Sequence, residues 1–169
     1  NKRDVARFIH RGTELGIGIT AFHGYGACAI QRKRRLDAVH YVHNTRDGRG
    51  DVTDTHVEWK YAKTVPTRSS QILVGDLLFM VTDAGVAACI NAISAEPVWT
   101  ERFGGDYSAS PILAEGRIYF FSETGEATVV AANPEKFTVL ARNKLESGMT
   151  SSPVEADGSL YLRTKTPFY

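Results

Sequence analysis

SASPILAEGRIYFFSETGEATVVAA, residues 108–132, reads as three short strands joined by two tight turns. Ser108-Ala109-Ser110-Pro111-Ile112-Leu113 opens it, and Ala114-Glu115-Gly116 turns the chain into a second strand over residues 117–122. Thr124-Gly125 marks the next turn and residues 126–131 the third strand. β-Branched and aromatic residues between evenly spaced glycine turns are the signature of an antiparallel meander. The pattern recurs. Ser-Ser-Gln-Ile-Leu-Val-Gly-Asp-Leu-Leu-Phe-Met begins at Ser69 and Ser-Ser-Pro-Val-Glu-Ala-Asp-Gly-Ser-Leu-Tyr-Leu at Ser151. Ser70, Ser110 and Ser152 therefore mark steps of 40 and then 42 residues. A step of that size with four short strands per unit is the period of a propeller blade.

Outward from this stretch, the best-formed unit has strands at 69–74, 77–82, 86–91 and 98–102, and the next at 110–113, 117–122, 126–131 and 138–143. A last unit begins at Thr150 and holds two strands before Tyr169. Towards the N-terminus, residues 16–22 and 27–31 alternate as strands. AFHGYGACAI (21–30) overlays VTDAGVAACI (81–90), and THVEWKY (55–61) closes that unit as its outer strand. Residues 32–53 are charge-rich without periodicity and read as an exposed loop. Residues 1–18 are the least legible, with Asp4–Leu15 open between a short helical turn and a degraded strand pair. Trp59 and Trp99, 40 apart, hold one place in successive units. Leu140 is expected to hold it in the third, each packing between neighbouring blades.

Composition sets the limits. Of 169 residues, 43% are hydrophobic and 23% charged, which suits a globular domain rather than a disordered one. A net charge of +1 gives no general argument for a polyanionic partner. No apolar run reaches the roughly 18–20 residues of a membrane helix. The chain opens Asn-Lys-Arg-Asp rather than on Met, so a processed or truncated start is expected. Cys28 and Cys89 sit in apolar strands and read as buried, inert thiols.

The repeated unit, carried by residues 108–121 with Glu123-Thr124-Gly125, by Val98-Trp99 and by residues 151–162, resembles the pyrroloquinoline-quinone-like (PQQ-like) β-propeller repeat. That repeat occurs in quinoprotein alcohol dehydrogenases and in the outer-membrane assembly lipoprotein of the β-barrel machinery. Residues 50–61, with Ala141-Arg142-Asn143-Lys144-Leu145, also resemble large secreted repeat proteins of environmental bacteria. The resemblance covers residues 16–169. It implies an all-β, partial propeller of about three and a half four-stranded antiparallel blades, at 16–61, 69–102, 108–143 and 150–169, in a single domain spanning 1–169. Each blade buries its faces only against its neighbours, so an incomplete ring leaves two apolar faces open. The missing blades are expected from a longer chain or, failing that, from a second copy.

The resemblance also raises quinone-dependent dehydrogenation, in which the cofactor lies over the axis with a metal ion, acidic ligands, a catalytic Asp and an adjacent cysteine pair. Cys28 and Cys89 are not adjacent. Ala88–Trp99, ACINAISAEPVW, has Asn91 where the family pattern has Asp, and Ser94-Ala95 where it has Thr-Gly. Neither a cofactor nor a catalytic residue is therefore expected. Asp47, Asp51 and Asp54, with glycines between, have carboxylates spaced to ligate calcium but lack the order of a calcium loop. They read as a solvated loop. His40, His43 and His56 are too loosely placed for a transition-metal site to be expected. Arg32-Lys33-Arg34-Arg35 offers a polyanion grip without interleaved aromatics, and is kept as an alternative. Ser69, Ser70, Ser108, Ser110, Ser151 and Ser152 repeat with the blade, and are expected to pack and hydrogen-bond near the axis rather than catalyse. The expected function is a non-catalytic scaffold or protein-interaction segment of an exported bacterial protein, periplasmic or secreted. An unidentified protein partner would bind through loops on one disc face.

Overall fold

The computed structural model describes residues 17–21, 27–31, 39–42, 57–133 and 136–165, with side-chain surroundings from Trp59 onward. No helix among them is long and apolar enough to cross a membrane. The chain divides into two compact units, Asn1–Val65 and Pro66–Tyr169.

The first unit is one antiparallel sheet in the order β1 (Ile17–Ala21), β2 (Ala27–Gln31), β3 (Val39–Val42) and β4 (Val57–Tyr61). Two expectations are corrected here. Val39-His40-Tyr41-Val42 is a strand, not part of an exposed loop spanning 32–53. Four residues are too few to announce a strand inside a charged stretch, but their β-branched and aromatic side chains suit one. Both edges of this strand are paired, to β2 and β4. The overlay of 21–30 on 81–90 also fails, because Ala27–Gln31 is the second strand of its sheet and Val86–Asn91 the third of its own.

In the second unit β5 (Ile72–Val74), β6 (Leu77–Val81), β7 (Val86–Asn91) and β8 (Pro97–Arg102) form one four-stranded sheet. β9 (Ile112–Ala114), β10 (Arg117–Phe121), β11 (Glu126–Ala131) and β12 (Val139–Lys144) form another. β13 (Val154–Ala156) and β14 (Ser159–Tyr161) make a two-stranded sheet. Successive side chains of a strand point to opposite faces. Phe79, Val81, Ala87, Cys89 and Trp99 of one sheet accordingly meet Ile118, Phe120 and Val130 of the next, with Phe103 and Tyr107 between. The other face of β10 and β11 gives Phe121 and Ala127 to a smaller cluster with Ala109, Met149 and Leu162. Strand β6 is buried at all five positions because both its faces are covered.

Every four-stranded sheet carries the same irregularity. Register shifts where the third strand meets the fourth, leaving Glu58, Val98 and Leu140 as the extra residues. Such a β-bulge sharpens local twist. It also corrects the third unit: Val129 faces Ala141 as Cys89 faces Trp99, so Ala141 takes the tryptophan place. Leu140 is the bulge residue and is 50% exposed. The displacement has a simple origin. Asn91 to Pro97 becomes Ala131 to Val139, two residues longer, which is also why the serine step grows from 40 to 42.

Two glycines fix the turns between second and third strands. Gly85 has φ +72°, and a Cβ there would lie 2.5 Å from the Gly104 carbonyl oxygen. Gly125, at φ +92°, would meet the Ser147 carbonyl oxygen at 2.9 Å. Gly116 also has positive φ (+71°) but opens onto empty space. Backbone strain alone costs about 1–2 kcal/mol for an L-residue, and crowding adds about 1–3 kcal/mol. Gly116→Ala is expected to cost roughly 1–2 kcal/mol and Gly85→Ala clearly more, in urea unfolding of the two variants against wild type.

Candidate functional site

The repeated serines form a seam. The Ser70 amide donates to Ser110 Oγ at 2.9 Å, and the Ser110 amide donates to Ser152 Oγ at 3.0 Å. The β5–β8 and β9–β12 sheets thus each begin by hydrogen-bonding to the start of the next, which needs a short hydroxyl side chain at Ser110 and at Ser152. Ser69 is buried, with its hydroxyl donating to the Val81 carbonyl at 3.0 Å. Ser108 Oγ is buried without a partner among the described residues.

Beside the seam lies an ion-paired cluster that the sequence reading did not pick out. Asp83 and Glu123 occupy corresponding turns, 40 residues apart. Arg68, in the approach to β5, reaches both: Nε lies 3.0 Å from Asp83 Oδ2 and Nη1 2.8 Å from Glu123 Oε1. Asp83 also accepts from the Thr67 amide at 3.0 Å and from the Thr67 hydroxyl. Its backbone carbonyl accepts from the Tyr107 amide at 2.9 Å. The Asp83 carboxylate thereby ties its turn to the lead-in before the sheet, and the Asp83 backbone carbonyl ties it to the linker after the sheet. Burial pulls the Asp83 carboxyl up, but the Thr67 and Arg68 hydrogen bonds prevail and hold it below its ordinary value. The Asp83 hydrogen bond in turn raises Arg68 further above its ordinary value. The spacing of Asp83 and Glu123 was the available signal; the arginine between them carried none.

The other candidates separate. Cys89 is fully buried in β7 between Phe79 and Trp99, and burial pushes its thiol up to about 12. A thiol so rarely ionised is a packing group. Cys28 lies in β2 opposite Thr20 and Tyr41, and His40 in β3 opposite Ala29 and Lys60. His43, His56, Asp47, Asp51, Asp54 and the Arg32-Lys33-Arg34-Arg35 run lie outside the described residues. Among the described residues no three His, Cys, Asp or Glu side chains gather as metal ligands. Trp99 is buried and packs against Phe137 with centroids 4.9 Å apart and ring planes tilted by 53°, while Trp59 is half-buried.

Residues 56–136, just under half of the chain, match the family model described as outer membrane protein assembly factor BamB. The match is to a PQQ-like propeller repeat. Among solved structures, BamB from Moraxella catarrhalis is similar at 14% identity and a TM-score of 0.55, over 88% of this chain and 52% of that one. A europium-containing methanol dehydrogenase is similar at 13% identity and a TM-score of 0.54, over 82% of this chain and 27% of that one. Likeness at such identity is one of fold: an all-β, partial propeller of antiparallel four-stranded blades. The chain spans about half the length of the first and about a quarter of the second. No curated protein sequence matches it. Cys89 is closed inside the packing between two sheets, so it does not fit an adjacent cysteine pair beneath a bound quinone.

Two outcomes test the seam and the cluster. Ser110→Ala leaves the Ser70 amide without its acceptor and is expected to cost about 1–2 kcal/mol in urea unfolding. Asp83 has a folded pKa below its unfolded value near 3.9, so its stabilisation is present above that pH and lost as pH falls through the folded value. Asp83→Asn should lower the melting temperature at pH 7 and flatten its fall between about pH 5 and pH 2; an unchanged acid slope would remove Asp83 from the account.

Proposed function

We propose that the chain is a non-catalytic scaffold, a segment of a larger exported β-propeller that binds a protein partner through loops on one disc face. The observation that carries the reading is the serine seam with its Arg68 cluster. Ser70, Ser110, Asp83 and Glu123 recur with the blade, and each is engaged in joining one stretch of backbone or one turn to another. Polar groups held in this way build a rigid platform and leave recognition to the loops. The match to an assembly-factor family supports a protein-interaction role, and the same likeness supports a periplasmic or secreted setting. The domain is taken as one partial propeller over 1–169, with blades at 16–61, 69–102, 108–143 and 150–169.

The quinoprotein reading draws on the likeness to methanol dehydrogenase, which is a likeness of fold. No described side chain adds to it. The test is a titration of the purified protein with pyrroloquinoline quinone and calcium or a lanthanide, followed by absorbance and dye-linked alcohol oxidation, together with cell fractionation. The scaffold reading expects no stoichiometric quinone binding, no turnover and recovery with the periplasm or medium. Stoichiometric binding with alcohol oxidation would overturn it.

A further inference from the structure

Arg117, Tyr119, Val129, Leu140, Ala141 and Asn143 line an open hollow of about 340 Å³ on one face of the β9–β12 sheet. By register their counterparts in the β5–β8 sheet are Leu77, Phe79, Cys89, Val98, Trp99 and Glu101. That earlier face is closed, because Ile118, Phe120 and Val130 of the following sheet lie on it and Trp99 reaches out to Phe137. The molecule therefore shows what covers this face: another sheet. Half of that cover is present on the β9–β12 sheet, where Leu162, just past β14, packs with Phe121, Ala127 and Met149. β6 and β10 use their second edge to pair β7 and β11, whereas among the described residues β14 pairs only β13.

The seam differs from its predecessor at several places. Ala141 stands where Trp99 stands, so the tryptophan place holds no ring on this side and Tyr119 is the one aromatic among the lining residues, while Arg117 replaces Leu77 on the hollow's wall. We propose that the hollow beside Ala141 receives an aromatic side chain from a strand pair that completes the β13–β14 sheet along the free edge of β14, supplied by the same polypeptide beyond the described residues. The pair β3–β4, the pair β7–β8 and the pair β11–β12 each follow the first two strands of their own sheet directly in the chain, which favours the same polypeptide as the source. An aromatic ring suits the site because it fills what tryptophan fills one blade earlier and lies against the Arg117 guanidinium. The inference rests on the reading of the chain as a segment of a larger propeller.

The test compares the 169-residue chain with the polypeptide extended through the fourth blade. In the extended form Ala141→Trp overfills the hollow, and the melting temperature should fall by roughly 3–8 °C; in the shorter chain it should stay level or rise. One aromatic→Ala change in the completing strands should also lower it, and Ala141→Trp should restore at least half of that loss. No fall in the extended form, or no rescue at any aromatic, overturns the proposal. Should Ala141→Trp fail to fold, Ala141→Cys in a Cys28→Ser background gives a second readout, since buried Cys89 adds little reaction. The introduced thiol should react with a disulfide reagent at least tenfold more slowly in the extended polypeptide. Equal rates overturn the proposal, as does a dimer of the shorter chain that protects this thiol, which would give the hollow to a second copy. The quinone titration is independent of the hollow, so failure here leaves the scaffold reading standing.

Discussion

A sheet with two apolar faces cannot stand alone in water, and this constraint governs the Pro66–Tyr169 unit. Phe79, Cys89 and Trp99 have no covering within their own sheet; Ile118, Phe120 and Val130 supply it from the next, with Phe103 set edge-on to Phe120 at 5.4 Å between centroids. Burial of this kind supplies about 25 cal/mol for each Å² of apolar surface removed from water. It is non-directional, however, and does not by itself set how one sheet lies on the next. Direction comes from the polar atoms at the sheet starts and turns.

Those polar atoms act as a registration device. The Ser70 amide on Ser110 Oγ, and the Ser110 amide on Ser152 Oγ, can form only when consecutive sheets begin at matching depth. Arg68 adds a second point of alignment by reaching the turns of Asp83 and Glu123 together. An exposed ion pair contributes little stability by itself. Its value here is geometric, because the same Asp83 also receives the Thr67 amide and hydroxyl. Gly85 and Gly125 complete the arrangement by letting the linker backbone pass within touching distance of each turn.

The bulge shared by all three four-stranded sheets shows how a repeat absorbs change. Two residues added between β11 and β12 leave the bulge intact, yet move Ala141, rather than Leu140, into the tryptophan place. The sheet keeps its hydrogen bonds and loses a core side chain. The wall that results has an alanine, an arginine and a half-exposed leucine where its predecessor has tryptophan, leucine and valine. Successive walls of one fold are thus chemically distinct.

Much of this was legible in the residues themselves. Glycine turns between runs such as Ile118-Tyr119-Phe120-Phe121 set strands and hairpins, since turn chemistry and strand alternation are local properties. Ser70, Ser110 and Ser152 revealed the repeat and their own role, because residues that recur with a fold serve it. Strand β3 escaped notice, for four residues in a charged stretch become a strand only through partners on both sides. Leu140 was misplaced because counting residues cannot see where an insertion falls; only pairing with Val129 and Val130 locates it. Arg68 was invisible, because its meaning lies in two turns, one of them 55 residues away, that only packing brings within its reach. Sequence determined the elements and their period, through local backbone and side-chain preference. Tertiary structure decided which side chains meet, through the requirement that every apolar face find a cover.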